Sequence, residues 1–164
     1  MNATKGIVFY TNHRYNFKNS VRAQKNLTRI SRHEGLPVVS VSLKRLAFGN
    51  KNIRFPSYRA NDAFLYKQIL GGLDNSRADI IYLCSPDILY TPSHFAFTPP
   101  EKDKFYFNTN VTKTPSKNIS TLCGYRALLI EYFQKLADSS VKNPRTPFTK
   151  TKYFKSYEPL TKLG

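Results

Sequence analysis

Apolar and polar positions along this chain change their period several times, and each change marks an element. Residues 6–10 (GIVFY) form a short apolar run, a first strand, which opens into the polar Thr11-Asn12-His13-Arg14. Residues 20–34 then carry Ala23, Leu27 and Ile30 on one side of a helix. Lys18, Arg22, Lys25, Arg29 and Arg32 fall on the opposite side at about 100° per residue, and Gly35 and Pro37 stop the helix. PVVSVSL at 37–43 alternates and is β-branched, which predicts a second strand. The stretch 44–58 has no period and reads as a basic loop. Residues 61–73 place Ala63, Tyr66, Ile69, Leu70 and Leu73 on one helical face, with Asn61 as the N-cap and Gly71-Gly72 near the end.

The chain is organised around residues 78–97. IIYLC at 80–84 is unbroken and apolar, which suits a strand buried on both faces of a mainly parallel sheet. Ser85-Pro86-Asp87 ends it, because proline cannot donate a ladder hydrogen bond. Asp87 is thereby delivered to the carboxyl edge of the sheet, where open α/β folds bind ligands and where a carboxylate can hold a divalent cation. The alternative, and for a lone aspartate after a strand the more common role, is to cap the turn before Ile88-Leu89-Tyr90. KFYFNTNV at 104–111 predicts another strand with Asn108 and Asn110 on one face, and residues 125–137 form a helix burying Leu129, Phe133 and Leu136. The expected architecture is α/β, with a mixed, mainly parallel sheet flanked by helices.

Composition narrows the function classes. The 164 residues suffice for one sizeable core, and 12 phenylalanines with 11 tyrosines argue against a disordered chain. Lysine and arginine number 26 against 10 acids, a formal charge of +16, which favours phosphate-rich partners: nucleic acid or the diphosphate of a sugar nucleotide. The cationic helix face formed by Arg22, Lys25, Arg29 and Arg32 is the first candidate for nucleic-acid contact, and a merely solvated face is its alternative. Cys84 and Cys123 sit in apolar surroundings and read as reduced thiols, not as a disulfide framework. With no signal sequence and no apolar stretch of about 20 residues, a cytoplasmic protein without membrane contact is expected.

From residue 140 the chain turns to prolines, six cations, one acid and the rings Tyr153, Phe154 and Tyr157. Residues 1–139 are expected to form the domain, and residues 140–164 a basic tail lying extended along it or along a second copy in a homo-oligomer. Phe148, Tyr153, Phe154 and Tyr157 would pin that tail, and its deletion would leave a folded core.

Several segments in order, DILYTPSHFAFTPP from Asp87, FYFNTNV and LCGYR, resemble small viral and bacterial glycosyltransferase-like proteins of GT-A fold, distantly related to base J DNA glucosyltransferase. The resemblance spans roughly residues 6–130. It implies a nucleotide-sugar glycosyltransferase acting with a divalent metal, Mn or Mg. Asp87 would be the metal and diphosphate ligand, and His94 a further ligand or acid–base group unless it packs beside Phe95 and Phe97. Thr11, Asn12, Arg14, Arg59, Asn61 and Asp62 would lie near the donor, although Asn61 and Asp62 could also serve only the helix amides. Asn108, Asn110 and Arg126 would border the acceptor. The sequence departs from the family pattern in three places: Ser85 and Pro86 replace the glutamate and histidine of a Glu-His-Asp motif, Asn12 replaces an aspartate, and no histidine follows His94. Together with the charge, the resemblance points to DNA bearing hydroxymethylated pyrimidines as acceptor. The rival reading is a degenerate GT-A-fold protein that only binds nucleic acid.

Overall fold

The computed structural model describes residues 2–11, 17–55, 62–112, 118–138 and 151–163. Its main sheet has seven strands in the order β3-β2-β1-β4-β8-β6-β9. These are β1 (Lys5–Thr11), β2 (Val38–Ser42), β3 (Lys51–Arg54), β4 (Ile80–Cys84), β6 (Phe105–Asn108), β8 (Leu122–Tyr125) and β9 (Thr151–Phe154). Strands β3, β2, β1 and β4 run parallel, β8 is antiparallel to both β4 and β6, and β9 is parallel to β6. A small second sheet joins β5 (Ile88–Leu89), β10 (Leu160–Lys162) and β7 (Val111–Thr112). The fold is the mixed α/β arrangement that the periodicities predict.

Strand alternation divides the core into two layers. Ile7 and Phe9 of β1 face α1 (Phe17–Glu34), packing with Leu27, Ile30, Tyr82 and Leu160. Val8 and Tyr10 face the opposite side, toward α2 (Asp62–Asn75) and α4 (Arg126–Asp138), where Ile69, Leu73, Leu129 and Phe133 close the layer. Helix α1 ends as its sequence requires: Gly35 has φ 67°, and the Leu36 amide donates to the Ser31 carbonyl at 2.8 Å, a six-to-one closure.

A closer approach occurs at Gly72, where α2 crosses β1. A Cβ there would lie 2.4 Å from Val8 Cγ1, whereas one at Gly71 would meet nothing nearer than 3.8 Å. Gly72→Ala is therefore expected to cost about 1–3 kcal/mol through overpacking. Gly71→Ala should be neutral or stabilising by up to about 1 kcal/mol, because alanine is the better helix former. Urea denaturation of the two variants checks the contrast, and equal effects would refute the close packing.

Five elements depart from the sequence-based expectation. The loop expected over 44–58 contains the edge strand β3, whose Lys-Asn-Ile-Arg sequence shows no alternation of burial. Residues 122–125, the match LCGY, form the antiparallel strand β8, and a short helix α3 (Pro92–Ala96) follows β5. The largest departure concerns the basic segment, which does not merely lie along the domain. Its residues form β9 at one edge of the main sheet and β10 in the middle of the small one, and Leu160 is fully buried. Of the expected anchors, Phe154 stacks on Phe97 at 3.9 Å, Tyr153 is half exposed and Tyr157 is 95% exposed; Phe148 lies outside the described residues. No helix among the described residues is long and apolar enough to cross a membrane.

Candidate functional site

Chain direction singles out one edge of the sheet. From β1 the chain passes through α1 to β2 on one side, then from β3 through α2 to β4 on the other side of β1. The two helices consequently cover opposite faces, and the carboxyl ends of β1 and β4 form the switch point where open sheets leave a crevice. Thr11 ends β1 there, buried beside Ser42 of β2, and Asp87 follows β4. Gln68 of α2, fully buried, donates to the Thr11 carbonyl at 3.4 Å, while its Oε1 has no hydrogen-bond partner. An orphaned acceptor at this edge suits a polar ligand.

The turn after β4 is built by residues that carried no local signal. Tyr90, fully enclosed, accepts from the Ser85 amide at 3.1 Å and donates to the Ser120 carbonyl at 2.7 Å. Asn26 of α1 clips the backbone of Tyr90 from both sides, at 2.8 and 3.0 Å. Within this frame Asp87 is buried; its carboxylate accepts from Ser85 Oγ and forms an ion pair with Lys162 Nζ of β10. The Leu163 amide donates to the Asp87 carbonyl at 2.7 Å, so backbone pairing holds the lysine in place.

A divalent cation does not fit this donor set. Cation sites need several oxygen or nitrogen ligands, and the described residues contain no group of three histidines, cysteines or acids that could supply them. The one carboxylate at the end of β4 is already neutralised by an ammonium group. This corrects the expectation that Asp87 stands ready as a metal ligand.

His94 is also corrected. Its ring is fully buried among Tyr82, Tyr90, Phe95 and Phe154, and burial drives its pKa down to about 3. Asn108 Oδ1 accepts from the Asn110 and Ser156 amides, so Asn108 Nδ2 must donate, to Ser156 Oγ at 2.9 Å and His94 Nδ1 at 3.0 Å. The ring proton then sits on Nε2, which has no partner. His94 and Asn108 thus organise the buried seam between α3, β6 and residue 156. They do not reach solvent as an acid–base group or acceptor wall.

Asn110 likewise ties down the C-terminal segment, donating to the Ser156 carbonyl at 2.8 Å and accepting from the Leu160 amide. Arg126 lies at the other edge of the sheet, where Tyr125 pairs with Ile80, and its guanidinium donates to the Leu73 carbonyl at 3.2 Å. The length of β4, about 13 Å at 3.3 Å per residue, separates it from Asp87, so the two lie at opposite ends of the strand. Asp62 opens α2, while Asn12, Arg14, Arg59 and Asn61 lie outside the described residues.

The cationic face of α1 forms as the periodicity requires. Arg22, Lys25, Arg29 and Arg32 are exposed, and none has an ion pair among the described residues. An open groove of about 830 Å³ runs beside them, lined by Lys25, Arg29, Arg32 and the Ala47-Phe48 connection between β2 and β3.

No protein-family model matches this sequence, and no characterised sequence is significantly similar to it. Solved structures are informative about the fold. The chain is similar to a glycosyltransferase involved in glycosylation of the major capsid of PBCV-1, with TM-score 0.62 and 5% identity, over 97% of this chain and 93% of that one. It is similar to Drosophila β1,4-galactosyltransferase 7, solved as the D211N mutant with manganese, UDP-Gal and xylobiose, with TM-score 0.53 and 14% identity over 98% of this chain and 71% of that one. The catalytic domain of the same enzyme with xylobiose gives TM-score 0.51 and 14% identity over 82% of this chain, which spans about half (52%) of that structure. The chain therefore has the GT-A type of glycosyltransferase fold.

Proposed function

We propose that this protein is a nucleotide-sugar glycosyltransferase whose donor lies over the carboxyl ends of β1 and β4. The observation that carries the reading is the switch point at that edge, set in a fold similar to that of a glycosyltransferase over nearly the whole of both chains. In this reading Asn12 and Arg14, which follow β1 in the chain, and Arg59, Asn61 and Asp62, which precede or open α2, contact the donor. Gln68 offers an acceptor oxygen to its base or ribose. The acceptor hydroxyl oxygen bonds to the anomeric carbon, and the bond from that carbon to the diphosphate breaks with its electrons leaving on the nucleoside diphosphate. The hydroxyl proton passes to solvent. DNA bearing hydroxymethylated pyrimidines is the acceptor that the exposed cations of α1 favour, since they can meet its phosphates.

That same face supports a second reading, a nucleic-acid-binding protein without turnover. Thermal denaturation separates the two. A panel of UDP-glucose, UDP-galactose and GDP-mannose should include one compound that raises the melting temperature by roughly 5–10 °C at a hundred times its dissociation constant. Stabilisation by duplex DNA with no response to any nucleotide sugar would replace the enzyme with the binder.

A further inference from the structure

We propose that Lys162 occupies the place of a divalent cation at the end of β4, so that the diphosphate of a nucleotide is bound without metal. The inference rests on the donor site proposed above and specifies its chemistry. Lys162 is delivered by register: it pairs antiparallel with Ile88, and the next residue is hydrogen-bonded to the Asp87 carbonyl. The ammonium therefore arrives on a strand paired with β5 on one side and β7 on the other, not on a loose tail.

The pair is also asymmetric in its exposure. The Asp87 side chain is 11% exposed, with Ser85 Oγ on one carboxylate oxygen and Lys162 on the other, whereas the Lys162 side chain is 30% exposed. An anion approaching from solvent meets the cation first. The ammonium has three donors, of which Asp87 takes one, leaving capacity for phosphate oxygens, which lysine binds as a point charge. Partial burial lowers the Lys162 pKa by desolvating its ammonium. Asp87 then acts as a positioning residue that orients and retains the charge. The described residues offer no competing ligand set: His94 and both cysteines are buried away from solvent, and Glu101 is held by Lys152.

The test measures binding of UDP and GDP to the full chain by calorimetry, once in EDTA and once with manganese. Affinity in EDTA within about twofold of that with manganese is expected, and Lys162→Gln should weaken it about tenfold by removing a charge-assisted hydrogen bond. Lys162→Arg should retain most of the affinity. Lys135→Gln, which removes an equal charge on the exposed face of α4, should leave it unchanged. Binding by wild type that appears only with manganese overturns the inference while leaving the donor site standing, and that comparison does not depend on any variant folding. An equal loss in Lys135→Gln would show general charge attraction and overturn it too. Failure of both nucleotides under both conditions would remove the donor site together with the inference.

Discussion

A chain shortened to end at residue 150 is expected to lose its cooperative unfolding transition and expose apolar surface. Removing residues 151–163 takes Leu160 from the layer beneath α1 and strips β6 of its outer partner. It also removes Ser156 from the Asn108 and His94 network and leaves the buried Asp87 without its cation. Loss of the Lys162 partner alone is the type of change that costs several kcal/mol, because an uncompensated charge stays buried. Leu160→Ala should by itself cost about 2–5 kcal/mol, out of a total stability for such a domain of about 5–15 kcal/mol. Circular dichroism melting and dye binding check this. A truncated chain with a sharp transition and no dye response would restore the segment to the status of a detachable tail.

The second large effect is a loss of stability in mild acid. His94 carries an ordinary pKa of 6.5 when unfolded, and burial holds it at about 3 in the folded chain. Above pH 6.5 both states are neutral at this ring and no penalty applies. Below that value the unfolded chain takes up a proton that the folded chain refuses, so stability falls by about 1.4 kcal/mol per pH unit until pH approaches 3. Between pH 6.5 and 5 carboxylates with ordinary pKa values remain ionised, so about 2 kcal/mol of decline in that window belongs to His94. Denaturant midpoints measured at pH 7, 6 and 5 should show it, and His94→Gln should flatten the profile. An unchanged slope in that variant would mean that the ring is accessible to protons in the folded state.

Both results turn on contacts between residues far apart in the chain, which is where the sequence stops being informative. Local patterning determined the elements whose period is strong: the apolar run at 80–84 suited a doubly buried strand and forms one, and the helix after Phe17 shows its cationic face because charge and apolar residues sort at 3.6 per turn. The placement of Asp87 at a strand end was equally legible, since Pro86 terminates β4. What occupies that carboxylate was not. Lys162 stands 75 positions later, and only the antiparallel register of β10 against β5 brings it to Asp87. Asn108 and His94, which look like site residues by type, became interior ones because Ser156 and the rings of α3 and β9 close over them. Strand pairing joins positions without any local period linking them, so the sheet order, the switch point between β1 and β4, and the identity of the cation beside Asp87 were decided by the tertiary structure alone.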